Sequence, residues 1–265
     1  AEFFGAGLVR TPEDFGVKGE APTHPELLDW LAVEFMAHGW SMKHIHRLIA
    51  LSATYRQSAR ITPELLARDD QNRLLARGPR FRLDAEGIRD NALAIAGLLS
   101  PKLGGPPVRP YQPPGLWDSK VGGERVTYDV SPGEDAHRRG LYTVWKRASP
   151  YPSFVNFDAT NRTACTVRRS RSNTPLQALT LLNDPVYVEA ASALAQRVLR
   201  ETPDASATAR LRYAFELCLV RAPAAAELDA LARLLARQTA AHDETVAWQA
   251  VAATLLNLDE TITKN

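Results

Sequence analysis

Apolar residues recur at helical spacing along much of this chain, and most of these stretches open on a capping residue. Leu27, Leu28, Leu31 and Phe35 share one face behind Pro25, which suits a first helical turn, with Thr23 or His24 ahead of it. Gly39 marks the stop, and Ser41 caps a second helix carrying Ile45, Leu48, Ile49 and Leu51. So short a connection predicts a helical hairpin. Asp84 opens a third helix with a stripe of Ile88, Ala92, Leu93, Ile95, Ala96 and Leu99. Gly87 stands where a capping box needs Glu or Gln, so Asp84 is expected to cap alone. Thr174-Pro175 and Asp184-Pro185 then start successive helices, and Asp204, Pro223 and Asp243 are expected to start three more. Leu211, Phe215 and Leu219 share a face, as do Leu228, Leu231 and Leu235. There is no internal repeat and no heptad seam.

Residues 100–136 break this pattern with Pro101, Gly104-Gly105-Pro106-Pro107, Pro110 and Pro113-Pro114-Gly115. Such a run excludes helix, and at this length it implies an ordered excursion or a functional segment. Glu124–Val130 is expected as a short strand pairing with Gly140–Lys146, whose Leu-Tyr-Thr-Val-Trp core favours β structure. The fold class that follows is mainly α, a helical domain with a Pro/Gly-rich, β-poor central insertion holding a short hairpin. Its parts are an N-terminal helical portion (1–99), a basic insertion (100–173) and a C-terminal helical portion (174–265), forming one compact domain.

Composition adds little until charge is mapped. The 265 residues are 45% hydrophobic and 23% charged, the balance of an ordinary folded protein able to bury a core. A net charge of +2 does not argue for nucleic acid. Between Arg125 and Arg171, however, nine Lys/Arg face four acids, a local +5 that leaves −3 for the flanks. Nucleic-acid binding rests on that basic centre alone and ranks last. No apolar run approaches the ~18–20 residues of a membrane span. The chain starts at Ala1, and Glu2-Phe3-Phe4-Gly5 reads as the tail of a helix already under way, so a fragment of a longer protein is expected. Cys165 and Cys218 stand in neither C-x-x-C nor C-x-x-C-H, which disfavours a zinc site or covalent haem attachment within this chain.

The candidate chemistry is concentrated in Arg162 to Pro185. Arg168, Arg169 and Arg171 precede a helix start whose free amides also favour anions, and guanidinium forks match sulfate, carboxylate or phosphate. The same arginines suit a second role, bracing loops against backbone carbonyls, Asp158 and Asp184. Trp117, Tyr142 and Trp145 interleave with the basic residues and offer stacking planes for sugars, or the core of an insertion poor in aliphatics. His137, beside Asp135, Arg138 and Arg139, is the histidine best placed for a pH-sensitive role. Glu86 and Asp90 lie i, i+4 on one helix face and form a possible acid/base pair; alternatively they answer Arg80 and Arg82. His44 and His46 point about 200° apart on their helix and cannot share an ion, His24 reads as a cap residue, and His38 and His242 as helix-end or surface residues. No metal site is therefore expected. Cys165 reads as a buried structural thiol.

Several long motifs together resemble the planctomycete-type domain of unknown function 1553. They are Gly7-Leu-Val-Arg-Thr-Pro-Glu-Asp-Phe-Gly16 leading to Thr23-His-Pro-Glu-Leu-Leu-Asp-Trp-Leu31, then Arg82-Leu-Asp-Ala-Glu-Gly-Ile-Arg-Asp90, then Cys165-Thr-Val-Arg-Arg169 through Asn173-Thr-Pro-Leu-Gln-Ala-Leu179 to Leu182-Asn-Asp184. Leu255-Leu-Asn-Leu-Asp-Glu260 is similar to that family's last helix. The resemblance implies the end of a large exported protein in which a c-type haem domain often precedes this one. It thus implies an extracytoplasmic setting and partners among the other domains of the parent protein; with no haem-attachment motif here, no cofactor is expected in this chain, and any c-type haem belongs to a domain outside it. It supplies no catalytic residue. Two functions are compatible with it: a scaffold module binding an anionic ligand such as an acidic polysaccharide, and an oxidoreductase passing electrons from a carbohydrate-like substrate to the haem domain. The second requires Arg168, His137 and Glu86 or Asp90 to converge in one pocket.

Overall fold

The computed structural model describes residues 1–117, 120–121, 124–125 and 127–264. It contains two compact units, Ala1–Arg82 with Thr263–Asn265, and Leu83–Ile262. No helix among the described residues is long and apolar enough to cross a membrane.

The first unit carries α1 (Pro25–Ala37), α2 (Met42–Leu51) and α3 (Pro63–Arg68). Ser41 caps α2 by accepting from the His44 amide, and Thr62 caps α3 in the same way from Leu65. His24 precedes α1 without a side-chain cap bond. A two-stranded antiparallel pairing closes the unit, β1 (Phe81–Arg82) against β4 (Thr263–Lys264). None of the three helices contains a fully buried residue. The expected hairpin of α1 and α2 packs Leu31, Phe35, Ile45, Leu48 and Ile49 to half-burial, while Trp30 stays 49% exposed. Short helices without a covering layer cannot remove their apolar stripes from water. A cavity of about 790 Å³, lined by Phe3, Leu8, Leu27, Leu31, Leu48 and Leu75 among others, remains between them.

The second unit holds the core. Its helices are α4 (Ala85–Ala96), α5 (Pro152–Asn156), α6 (Pro175–Asn183), α7 (Pro185–Glu201), α8 (Ala207–Leu219), α9 (Ala225–Ala241), α10 (Glu244–Leu256) and α11 (Asp259–Ile262). α7 lies centrally, packed on α4, α6, α8 and α10. Its inward residues Ala190, Ala191, Leu194, Ala195 and Val198 are buried, as are Val251, Ala252 and Leu255 of α10. Small alanines let these helices approach closely. Ile88, Ala92, Leu93, Ile95 and Ala96 of α4 fill the facing layer, as their spacing predicts. Gly97, at φ 77°, stops α4 in the left-handed conformation that glycine tolerates best.

Several starts differ from expectation. α8 begins at Ala207, capped by Ser206 rather than Asp204. Asp84 sits at the N-cap of α4 but makes no cap bond, because its carboxylate faces two arginines instead. The hairpin is also different: β2 (Lys120–Val121) pairs with β3 (Glu124–Arg125), so the strand beginning at Glu124 has a local partner. Gly140–Tyr142 forms a 3-10 turn, and Tyr142 and Val144 bond Val108 through a parallel bridge. The Gly140 amide is held by Asp90, which removes it from any ladder.

Two buried arginines tie the insertion to the helices. Arg89 of α4, 0% exposed, donates to the carbonyls of Ala136 and Arg138, each at 2.7 Å. Arg138, 1% exposed, donates onward to the carbonyls of Lys102, Gly104 and Pro106. Their forks supply the donors that irregular backbone lacks.

Candidate functional site

The arginine segment is a pinned loop. After α5 the chain turns at Asp158, which is left-handed at φ 62°, and runs without regular structure to the Thr174 cap of α6. The Asp158 carboxylate closes the neck, accepting from the Ser172 amide at 2.8 Å and its hydroxyl at 2.9 Å. Gln177 bonds Ser172 Oγ and the Asn156 carbonyl, and its own carbonyl oxygen completes a capping box with Thr174. Residues 158–172 are therefore an Ω-loop, a compact excursion whose ends meet. Residues 161–168 are exposed along its tip, so Cys165 is not the buried thiol expected: the loop carries it away from the helical core.

One guanidinium fastens the loop to α4. Arg169 forks onto Glu86, with Nη1 to Oε2 at 2.6 Å and Nη2 to Oε1 at 3.1 Å. Asp84 stands 4.0 Å from Arg169 and 3.8 Å from Arg171. Burial works against ionising Glu86, but hydrogen bonds from Arg169 and the charges of Arg169 and Arg162 outweigh it and hold its carboxyl below the usual range. Arg162, left-handed at φ 58°, lays its guanidinium over the Trp145 ring at 4.6 Å. Arg168 is exposed, and among the described residues it has neither a hydrogen bond nor an ion pair.

The fold thus gathers Arg162, Arg169, Arg171, Asp84, Glu86 and Trp145. The other candidates are engaged differently. His137 bonds Glu189 of α7 at 2.9 Å. Tyr142 accepts from the Gly104 amide at 2.7 Å, and Arg138 covers its ring at 3.9 Å. Trp117 is buried against Tyr128, with Lys146 over its ring. Asp90 accepts from the Gly140 amide at 2.7 Å, 3.7 Å from Arg89, and burial raises its carboxyl above the usual range. No hydrogen bond among the described residues joins Arg168, His137 and either carboxylate. Asp158 holds Ser172, and Asp184 caps α7 through Val186. Sequence reading passed over Arg162 as a site residue, since nothing local distinguishes it until Trp145 is folded beneath it.

Cys218 is buried, which pushes its thiol up to about 12 and leaves it inert. Chemically the loop offers cationic forks on an ordered frame: Glu86 fixes Arg169, Asp84 faces Arg171, Trp145 underlies Arg162, and Arg168 is exposed.

A family model described as PSD1, protein of unknown function (DUF1553), matches residues 1–235. No curated protein and no solved structure matches the chain.

Proposed function

The chain belongs to the DUF1553 family, and on that premise we propose that it is an extracytoplasmic helical module of a larger haem-associated protein, a scaffold that binds an anionic ligand on its arginine loop. The extracytoplasmic setting and the haem-bearing neighbour rest on the family resemblance. The ligand reading rests on one observation: the loop is pinned at its neck and by Arg169–Glu86, yet its exposed tip carries Arg168 with neither a hydrogen bond nor an ion pair among the described residues. An arginine held on a rigid frame loses little entropy when it grips a sulfate or carboxylate. Arg162 on Trp145 adds an exposed flat cation from the same loop, a chemistry suited to acidic sugars.

Retention on immobilised sulfated polysaccharide tests this reading. Arg162→Glu combined with Arg168→Glu is expected to weaken binding at least about tenfold, and binding should fall as salt rises. Unchanged retention by the folded double variant refutes it.

A further inference from the structure

The α1–α2 hairpin brings together three side chains that the arginine loop does not use. Glu34 and His38 lie i, i+4 at the end of α1, and His44 lies in the first turn of α2. Gly39 and Trp40, both left-handed at φ 64° and 59°, reverse the chain so that His44 folds back over Glu34. Glu34 Oε1 is then 3.2 Å from His38 Nδ1 and 2.9 Å from His44 Nε2. One potential ligand atom from each residue lies within 4.8 Å of the other two. The imidazoles stack at 3.8 Å, 8° from parallel. His46 takes no part, its ring packing on Phe3 at 5.5 Å.

From this geometry we propose that Glu34, His38 and His44 form a binding site for a late first-row divalent cation of the zinc class. Two imidazole nitrogens and one carboxylate oxygen are a donor set that such ions favour over calcium or magnesium. Ligands around a tetrahedral ion at about 2.1 Å stand roughly 3.4 Å apart, so the two Glu34–His spacings need to open by only a few tenths of an ångström, and the histidine donors already lie within 4.8 Å of each other. The stacked rings must also turn so that their lone pairs converge, and His38 Nδ1 must give up its 3.0 Å contact with the Glu34 carbonyl. Side-chain exposures of 22%, 47% and 30% for Glu34, His38 and His44 leave room for both movements and a path from solvent. Three protein donors leave the fourth position to water or to a ligand atom from a neighbouring molecule.

The test is calorimetric titration of the untagged, chelator-treated chain with Zn²⁺ alone, followed by Co²⁺ absorption to report coordination. One equivalent should bind, with a cobalt spectrum of low coordination number. His38→Ala, His44→Ala and Glu34→Gln should each weaken binding at least about tenfold, while His24→Ala and His242→Ala should leave it unchanged. If one of these variants fails to fold, X-ray absorption of the zinc-loaded wild type still decides, by finding or failing to find two imidazoles and a carboxylate. No saturable binding, binding indifferent to all three substitutions, or a wild-type spectrum without two imidazoles overturns the proposal.

Discussion

Replacing Arg89 by Met asks whether the insertion is held by its buried arginines. Arg89 is 0% exposed and sends one 2.7 Å hydrogen bond to each of the Ala136 and Arg138 carbonyls. Methionine fills similar space but donates nothing. Each buried carbonyl left without a donor costs about 1–3 kcal/mol, so the two together cost about 2–6 kcal/mol. Loss of the cation 3.7 Å from Asp90 adds to this. Relief of the guanidinium's own desolvation offsets several kcal/mol. The net expectation is a loss of about 3 kcal/mol, a fall of roughly 6–12 °C in Tm for a unit of this size. Arg89→Lys should be intermediate, because an ammonium cannot reproduce the planar fork that spans two carbonyls. Urea unfolding followed by circular dichroism gives the free energy, and limited proteolysis within residues 98–150 shows whether that segment loosens first. A Met variant within about 0.5 kcal/mol of wild type, with an equally resistant insertion, would refute the argument that these bonds anchor it.

Gly140→Ala places a Cβ 2.9 Å from Glu86 Cβ and 3.0 Å from Phe154 Cζ, so it should cost about 1–3 kcal/mol in denaturant unfolding. Glu86 has a carboxyl lowered from the ordinary 4.5, so its contribution to stability is complete above that value and lost as pH falls through the folded one. Protease cleavage within residues 158–172 should therefore accelerate in acid for wild type, and be fast at neutral pH for Glu86→Leu. Asp90 has the opposite sign: a carboxyl raised from 3.8 penalises the folded state once pH exceeds the folded value. Asp90→Asn, which keeps an acceptor for the Gly140 amide, should match or exceed wild-type stability at neutral pH, and a clear loss there contradicts the assignment. Thr174→Ala removes the capping-box acceptor for Gln177 and should cost about 1 kcal/mol in thermal unfolding.

The helix starts at Ser41, Thr174, Asp184 and Asp243 were legible in the sequence, because a cap bond joins a side chain to an amide only two or three residues away. So was the buried stripe of α4, since helical periodicity alone places Ile88, Ala92 and Leu93 on one side. The arginine segment drew attention by its composition, and its long match to the family's motifs named the family. What those residues do was decided by partners remote in the chain. Arg169 meets Glu86 across 83 residues, Arg89 reaches the Ala136 carbonyl across 47, and Asp158 closes a loop on Ser172 across 14. Asp84 shows the competition directly: its local role as a cap gave way to Arg169 and Arg171 brought in by the tertiary fold. The Glu34–His38 spacing lies on one helix, but His44 joins it only because the turn at Gly39 and Trp40 folds α2 back. Sequence specifies the contacts whose ends are joined by a few rigid peptide units; a contact closed over a long, flexible path is fixed only when the packed core pays its loop entropy.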